Sequence, residues 1–329
     1  MPGLLKCSKM PLKKIVLKIA PQHEGKRLDQ ALAELLPTAF PEKLSKGQVR
    51  KLIVAGAVYI GGRRMRIASK PVQSGARVDI YLDTQKLKET GRGRDLPFAM
   101  EQRHVLYEDE SLIAVDKPAG LPTQPTLDEA RDHLFAAVKR FIEKRDGIVQ
   151  PYIGLHHRLD RDTSGVVLFT KKKEANAGIS ALFVDHGATK IYHALTSTPS
   201  NEIPSTWSVR NYLGRSVSGG KKARYTAVRS GGDFAHTDFK LIERMRTGLW
   251  IEAAPRTGRT HQIRVHLTEG GTPILGDQHY GAAKAPGASR MMLHARSLSF
   301  AHPITGVPVL IESPLPEDFR RCLEILRKS

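Results

Sequence analysis

The sequence predicts an α+β protein: a mainly antiparallel, mixed sheet in its larger C-terminal part, preceded by a small α/β module. Three observations predict it. Beyond about residue 99, short apolar runs of strand character follow one another with few helical patterns between them, which disfavours a doubly wound parallel sheet. Before about residue 83, two amphipathic helices and a hairpin pattern form a unit of their own. Between them, residues 84–98 are polar and carry Lys86, Lys88, Gly91, Arg92, Gly93 and Arg94, the composition of a linker. At 329 residues the chain is long enough for two cores.

Residues 1–12 read as a loose leader. Lys14 to Ile19 alternates as an edge strand does. Leu28, Leu32, Leu35 and Leu36 recur at helical spacing, and Pro37 is expected to stop that helix. Ser45 with Gln48 three residues on is a capping box, Val49, Leu52 and Ile53 give the apolar stripe, and Gly56 suits the end. Ala57 to Ile60, a Gly61-Gly62 turn and Val78 to Leu82 complete the module. In the larger part, strands are expected at Leu112–Val115, Val166–Thr170, Ile191–Leu195, Ala223–Val228, Phe234–Ile242 and Leu249–Ala253. Helices are expected near Leu134–Lys144, Glu174–Val184 and Asp318–Leu326.

Charge is the outlying property. Lys and Arg number 52 against 33 Asp and Glu, a formal net charge of +19. The first 100 residues hold 20 cations against 8 acids, about +12 of the total. Arg50, Lys51, Arg63, Arg64 and Arg66 fall on the second helix and the turn after it. A same-sign excess concentrated there marks a phosphate-binding face, so RNA or DNA is the expected partner. An anionic membrane is the alternative, but there is no basic amphipathic helix, no lipidation signal and no apolar run of transmembrane length. Cys7 and Cys322 form no framework, which suits a reducing, cytoplasmic setting.

Several familiar chemistries fail on spacing. Gly214 to Lys222 imitates a phosphate loop, but Gly220 occupies the lysine position and no Ser or Thr follows Lys221. The histidines form no His-Glu-x-x-His pair and have no cysteines nearby. Thr163-Ser164-Gly165 lacks the first glycine of a hydrolase elbow. What stands out is His157-Arg158-Leu159-Asp160-Arg161-Asp162-Thr163-Ser164-Gly165, delivered to the start of the apolar strand Val166–Thr170. Asp160 sits between two arginines, and nearby cations favour an ionised carboxylate, fit to act as nucleophile or base. These residues are equally ordinary turn formers. Gly258 to Leu267 reads either as a strand, from Ile263, Val265 and Leu267, or as a short helix capped by Thr260 and ended by Gly270-Gly271. Either way Arg264 is a cation in an apolar stretch, and Asp160 or Asp162 could pair with it. Lys190 and Tyr192 share one face of their strand, where a Tyr can stack on a base or simply fill a core.

On these residues the chain resembles the RluA family of pseudouridine synthases. His157 to Gly165 is similar to the family signature, Asp116 to Leu121 to its first motif, and Lys190-Ile191-Tyr192 to its lysine and tyrosine block. Gly258 to His266 resembles its arginine block. Gly276-Asp277-Gln278-His279-Tyr280-Gly281 and Leu293-His294-Ala295 are similar to later blocks. Residues 13–83 resemble the small S-four RNA-binding module that often precedes the catalytic domain, here 99–329. The resemblance implies isomerisation of uridine to pseudouridine in RNA, without cofactor or metal. It implies that Asp160 is the essential carboxylate, that Tyr192 stacks on the flipped base and assists proton removal, and that Arg264 holds Asp160 ionised and aimed. It implies that Arg158 fills the gap left by the extruded nucleotide. His157 and Lys190, with the cations of the module, are the remaining expected RNA contacts. Arg161, Asp162 and Thr163 resemble members that modify large-subunit ribosomal RNA. A transfer RNA substrate and a non-catalytic ribosome-assembly factor are the alternatives. A monomer is expected.

Overall fold

The computed structural model describes residues 13–40, 44, 46–82, 97–125, 132–199, 201–216, 224–282 and 285–328. The expected leader, nearly all of the linker, the Ser45 cap and the imitation phosphate loop beyond Ser216 lie outside the described residues, as does the Lys51 side chain. The chain divides into two compact units, residues 1–97 with 125–132 and residues 98–124 with 133–329.

The smaller unit runs β1 (Lys13–Lys18), α1 (Leu28–Ala39), α2 (Lys46–Ala55), β2 (Val58–Ile60), β3 (Arg63–Met65) and β4 (Arg77–Leu82). Its antiparallel sheet has the order β1-β4-β2-β3, with β1 on an edge. Leu28, Leu32 and Leu36 of α1 meet Val49 and Ile53 of α2 over Val58, Val78 and Ile80. Pro37 does not stop α1. It falls in the last turn, where the Phe40 N–H still reaches Leu36 O at 2.9 Å and the Thr38 hydroxyl donates to Leu35 O at 2.7 Å. Gly61 and Gly62, at φ +55° and +79°, make the two-residue turn the sequence indicates. That turn pairs Ile60 with Arg63, so Arg63 and Arg64 lie on a strand and not in the turn. Arg64 and Arg66 come back over the Gly56 end of α2, close enough that a Cβ at Gly56 would meet both at 3.0 Å. Arg50, Arg63, Arg64 and Arg66 are all exposed.

The larger unit is built on one 11-stranded sheet. Its strands are β5 (Val105–Glu108), β6 (Leu112–Lys117), β7 (Gly154–Leu155), β8 (Ser164–Thr170), β9 (Thr189–Thr196), β10 (Thr206–Ser216), β11 (Arg224–Ala227), β12 (Asp233–Arg244), β13 (Leu249–Pro255), β14 (Leu293–Ala301) and β15 (Pro308–Glu312). The main order is β11-β10-β12-β13-β9-β14-β8-β6-β5, with β15 on β14 and β7 on β8. Among the described pairings only β14 with β8 is parallel. This is the mainly antiparallel, mixed α+β architecture. The helices are α3 (Leu134–Asp146), α4 (Ala175–Val184), α5 (Gln262–Glu269) and α6 (Glu317–Lys328). Strands β5, β7, β10, β14 and β15 have no counterpart in the sequence reading. β14 carries His294 and Ser297 among its apolar residues, and such polar positions weaken a strand signal.

The parallel join between β8 and β14 explains one glycine. Gly165 lies opposite Ala295 at φ +112°, and a Cβ there would strike the Ala295 carbonyl. The strand therefore begins against β14 only because position 165 has no side chain.

Two histidines of this unit, His294 on β14 and His266 on α5, are buried and neutral. His294 Nδ1 accepts from the Ser164 hydroxyl at 2.9 Å while Nε2 donates to Ser313 O at 3.3 Å. His266 accepts from Thr237 at 2.9 Å and donates to Asn211 Oδ1 at 3.0 Å. Burial pushes both down to about 4. The unfolded chain, with imidazoles near 6.5, therefore takes up protons first as pH falls. Stability should be intact above pH 6.5 and decline towards pH 4, by on the order of 3 kcal/mol before carboxylates protonate. Denaturant titrations of the full chain between pH 7 and 4.5 check this; a flat unfolding free energy over that window would refute it.

Candidate active site

The polar segment between β7 and β8 is strapped down residue by residue. Leu159 is buried, and its N–H and C=O both bond the Thr123 hydroxyl, at 3.2 and 2.9 Å. The Arg161 carbonyl accepts from Gly120 N and from Lys117 Nζ, both at 2.9 Å. The Asp162 carbonyl accepts from Arg290 at 3.2 Å. Arg290 is itself clamped by Asp318 at 2.6 and 3.0 Å and reaches the Ser164 hydroxyl at 3.1 Å. Asp160 is thus presented from a fixed backbone, with its side chain 32% exposed.

Lys117 is fully buried. Burial pushes its ammonium down to about 7, while the carboxylates of Asp162 and Asp160 work against that shift. Its Nζ donates to Pro118 O, Leu121 O and Arg161 O at 2.9, 2.8 and 2.9 Å. Three carbonyl acceptors require three N–H groups, so the geometry holds the protonated form. Lys117 ties the loop after β6 to the segment carrying Asp160.

The stretch 258–267 resolves as helix. α5 places Ile263 and Leu267 against Ala194 and Ala253 of the sheet. Its cap is His261 and not Thr260; His261 adopts φ +58° and its side chain makes no capping bond. The turn aims Arg264 inward. Its Nη1 donates to Asp160 Oδ2 at 2.7 Å, while Nε and Nη2 grip Asp277 at 2.7 and 2.9 Å. The Tyr280 ring lies under the guanidinium, 4.9 Å from its centroid. Burial works against the Arg264 charge, but the hydrogen bonds to Asp277 and the field of Asp160 outweigh it and raise the pKa. Asp162 instead closes on Arg161 at 2.8 and 2.9 Å on the surface. It is not the backbone-bonding turn residue its composition suggests, and of the two acids open to Arg264 the structure selects Asp160.

Arg158, Asp160, Lys190, Tyr192, His261 and Arg264 line one pocket. Burial, then the nearby Asp160 charge, raises the Tyr192 phenol, so the ring enters the pocket protonated. Burial lowers Lys190. Arg158 is exposed at the rim and also lines an adjoining pocket with His157, Phe183 and Lys190. His157 accepts from Leu168 N at 2.8 Å and stacks on Phe183 at 4.5 Å, and burial pushes it down to about 3. His261 sits 3.7 Å from Asp160 Oδ2 and pairs with the Tyr280 hydroxyl at 2.9 Å. The site thus unites all the expected residues of the larger unit; Arg50, Arg63, Arg64 and Arg66 belong to the smaller one. Asp277, Lys117, Arg290 and His261 complete the arrangement without having been assigned a role from sequence. Asp277 was findable in principle, because a buried arginine gripping one acid has donors left for a second.

Among the described residues no three His, Cys, Asp or Glu side chains gather as a metal-ligand set, and no helix is long and apolar enough to cross a membrane. The arrangement offers a carboxylate held at one oxygen, a protonated aromatic beside it and cations at the rim. That set suits covalent or electrostatic chemistry on a planar, anionic-backbone substrate.

Residues 111–269 match the RNA pseudouridylate synthase family and residues 26–78 match the S4 domain. A ribosomal large subunit pseudouridine synthase D of Pseudomonas aeruginosa is 33% identical, over 92% of this chain and 93% of the relative. That of Xanthomonas campestris is 32% identical, over 92% and 90%. The uncharacterized RNA pseudouridine synthase YlyB of Bacillus subtilis is 30% identical, over 97% and 100%. Among solved structures, human RNA pseudouridylate synthase domain containing 4 has the same fold, with a TM-score of 0.57 at 24% identity over 74% of this chain and 98% of that one.

Proposed function

The chain belongs to the RNA pseudouridylate synthase family, and we propose that it isomerises uridines of large-subunit ribosomal RNA, with Asp160 as the reacting carboxylate. The observation that carries the assignment is the grip on Asp160. Arg264 occupies Oδ2, and among the described residues no hydrogen bond is made to Oδ1, which is left for substrate. A base stacked in a helix must first be extruded to reach such a group. Exposed Arg158 at the pocket rim is suited to fill the gap. Tyr192 would stack on the extruded uracil. Burial keeps it a phenol before substrate enters, and it would assist removal of the C5 proton.

The reaction balances without a co-reactant. The bond from N1 to C1′ breaks, the uracil turns, and a C5 to C1′ bond forms. C5 gives up its proton and N1 gains one, so the composition is unchanged. We assign no metal or cofactor to it. Arg50, Arg63, Arg64 and Arg66, with Lys51, would meet phosphates. Lys190 and His157 line the path beside Arg158. We propose a monomer as the working form. A ribosomal RNA substrate, favoured by the names of the relatives, supports a cytoplasmic location.

Pseudouridine mapping tests this in cells with the chain deleted, restored, or restored as Asp160→Asn. Loss of specific large-subunit ribosomal sites, rescued only by the wild type, is expected. Loss confined to transfer RNA would overturn the ribosomal assignment, and rescue by Asp160→Asn would overturn the role of Asp160.

A further inference from the structure

The outer face of β10 and β12 carries an aromatic pair that the site does not use. Tyr212 and Phe234 are direct cross-strand partners, 51% and 44% exposed, with ring centroids 5.8 Å apart at 65°. Their neighbours in sequence, Leu213 and Ala235, face inward and pack on Val265 and Tyr280. The pair is therefore displayed by a rigid, well-packed stretch of sheet.

Cations surround it. Arg210 lies two residues before Tyr212 on the same face, opposite His236, with Nε 3.3 Å from the imidazole. Arg256 reaches Asp238 at 2.7 Å. Arg259 donates to the Phe234 carbonyl at 2.9 Å. Arg210, Arg256 and Arg259 are exposed, and the Asp238 carboxylate among them is already held by Arg256, Ser208 and His236. Arg259 also lines the pocket of Asp160. Arg259 thus links that pocket to the strand that carries Phe234.

We propose that Tyr212 and Phe234 form a second RNA contact, a platform on which an unpaired base near the target uridine stacks while Arg210, Arg256 and Arg259 hold its phosphates. The inference rests on the reading that the chain acts on RNA and adds how it selects substrate: an RNA with an unpaired base within reach. Two exposed rings confined to one spot and flanked by guanidinium groups suit a base with its phosphate. A surface shared with a protein partner lacks that need for three cations.

The test uses the full chain and a large-subunit ribosomal RNA fragment that the wild type modifies, carrying 2-aminopurine at successive unpaired positions. Wild-type binding should quench one position by stacking. The double variant Tyr212→Ala/Phe234→Ala should abolish that quench and weaken binding about tenfold or more, with the salt dependence unchanged, because stacking releases no counterions. Arg210→Gln/Arg256→Gln should instead flatten the salt dependence by about one to two contacts. Tyr212→Phe should behave as wild type. Both rings are exposed, so the variants should fold, which the thermal midpoint verifies. Wild-type affinity and quenching in the double variant would overturn the platform and leave the face to a protein partner. A wild type that binds no RNA would overturn the functional reading as well.

Discussion

Asp160→Asn should lower pseudouridine formation at least about 1,000-fold. The substitution keeps the size of the side chain and one acceptor for Arg264, so the 2.7 Å contact can survive. It removes the charge and the nucleophilic oxygen. RNA affinity should stay level or rise slightly, since a negative group beside the phosphates is gone. Asp162→Asn is the matched control. Asp162 closes on Arg161 at the surface, and an exposed pair of that kind contributes at most about 1 kcal/mol. Its backbone carbonyl, which Arg290 uses, is untouched. That variant should keep turnover within about tenfold. Single-turnover assays and RNA affinity on both proteins decide the matter. Turnover retained by Asp160→Asn and lost by Asp162→Asn would invert the assignment.

Arg264→Met should have the largest effect on stability. Asp277 is 2% exposed and spends both its oxygens on Arg264, so the variant strands a buried carboxylate. Removing one partner of such a pair costs about 3–5 kcal/mol. The double variant Arg264→Met/Asp277→Leu removes both charges and should recover most of that loss, because a well-packed apolar pair often matches a buried ion pair. It should not recover turnover, since the Arg264 hydrogen bond to Asp160 Oδ2 is gone. Denaturant melts and single-turnover rates on the two proteins separate structure from function. A stable double variant that is also active would show that Arg264 serves the fold alone.

Two kinds of information divided between sequence and tertiary structure. The Asp160 segment, the Lys190 and Tyr192 spacing, the basic N-terminal module and the succession of strands were legible from the sequence because each is local. Residues two, three or four apart share a face by backbone geometry alone, and a block of charge needs no partner to be seen. The tertiary structure decided what depends on distance along the chain. Arg264 meets Asp160 across 104 residues, and Lys117 meets Arg161 across 44. No periodicity tells Asp160 from Asp162 in such a pairing. The segment 258–267 is too short for its pattern to separate helix from strand; packing of Ile263 and Leu267 on the sheet settled it, and the same turn of helix aimed Arg264 at the carboxylate. Asp277 and Lys117 stood in family-like blocks without a role for a like reason. A buried charge is tolerable only where partners from elsewhere in the fold surround it, and those partners appear only once the chain has closed around them.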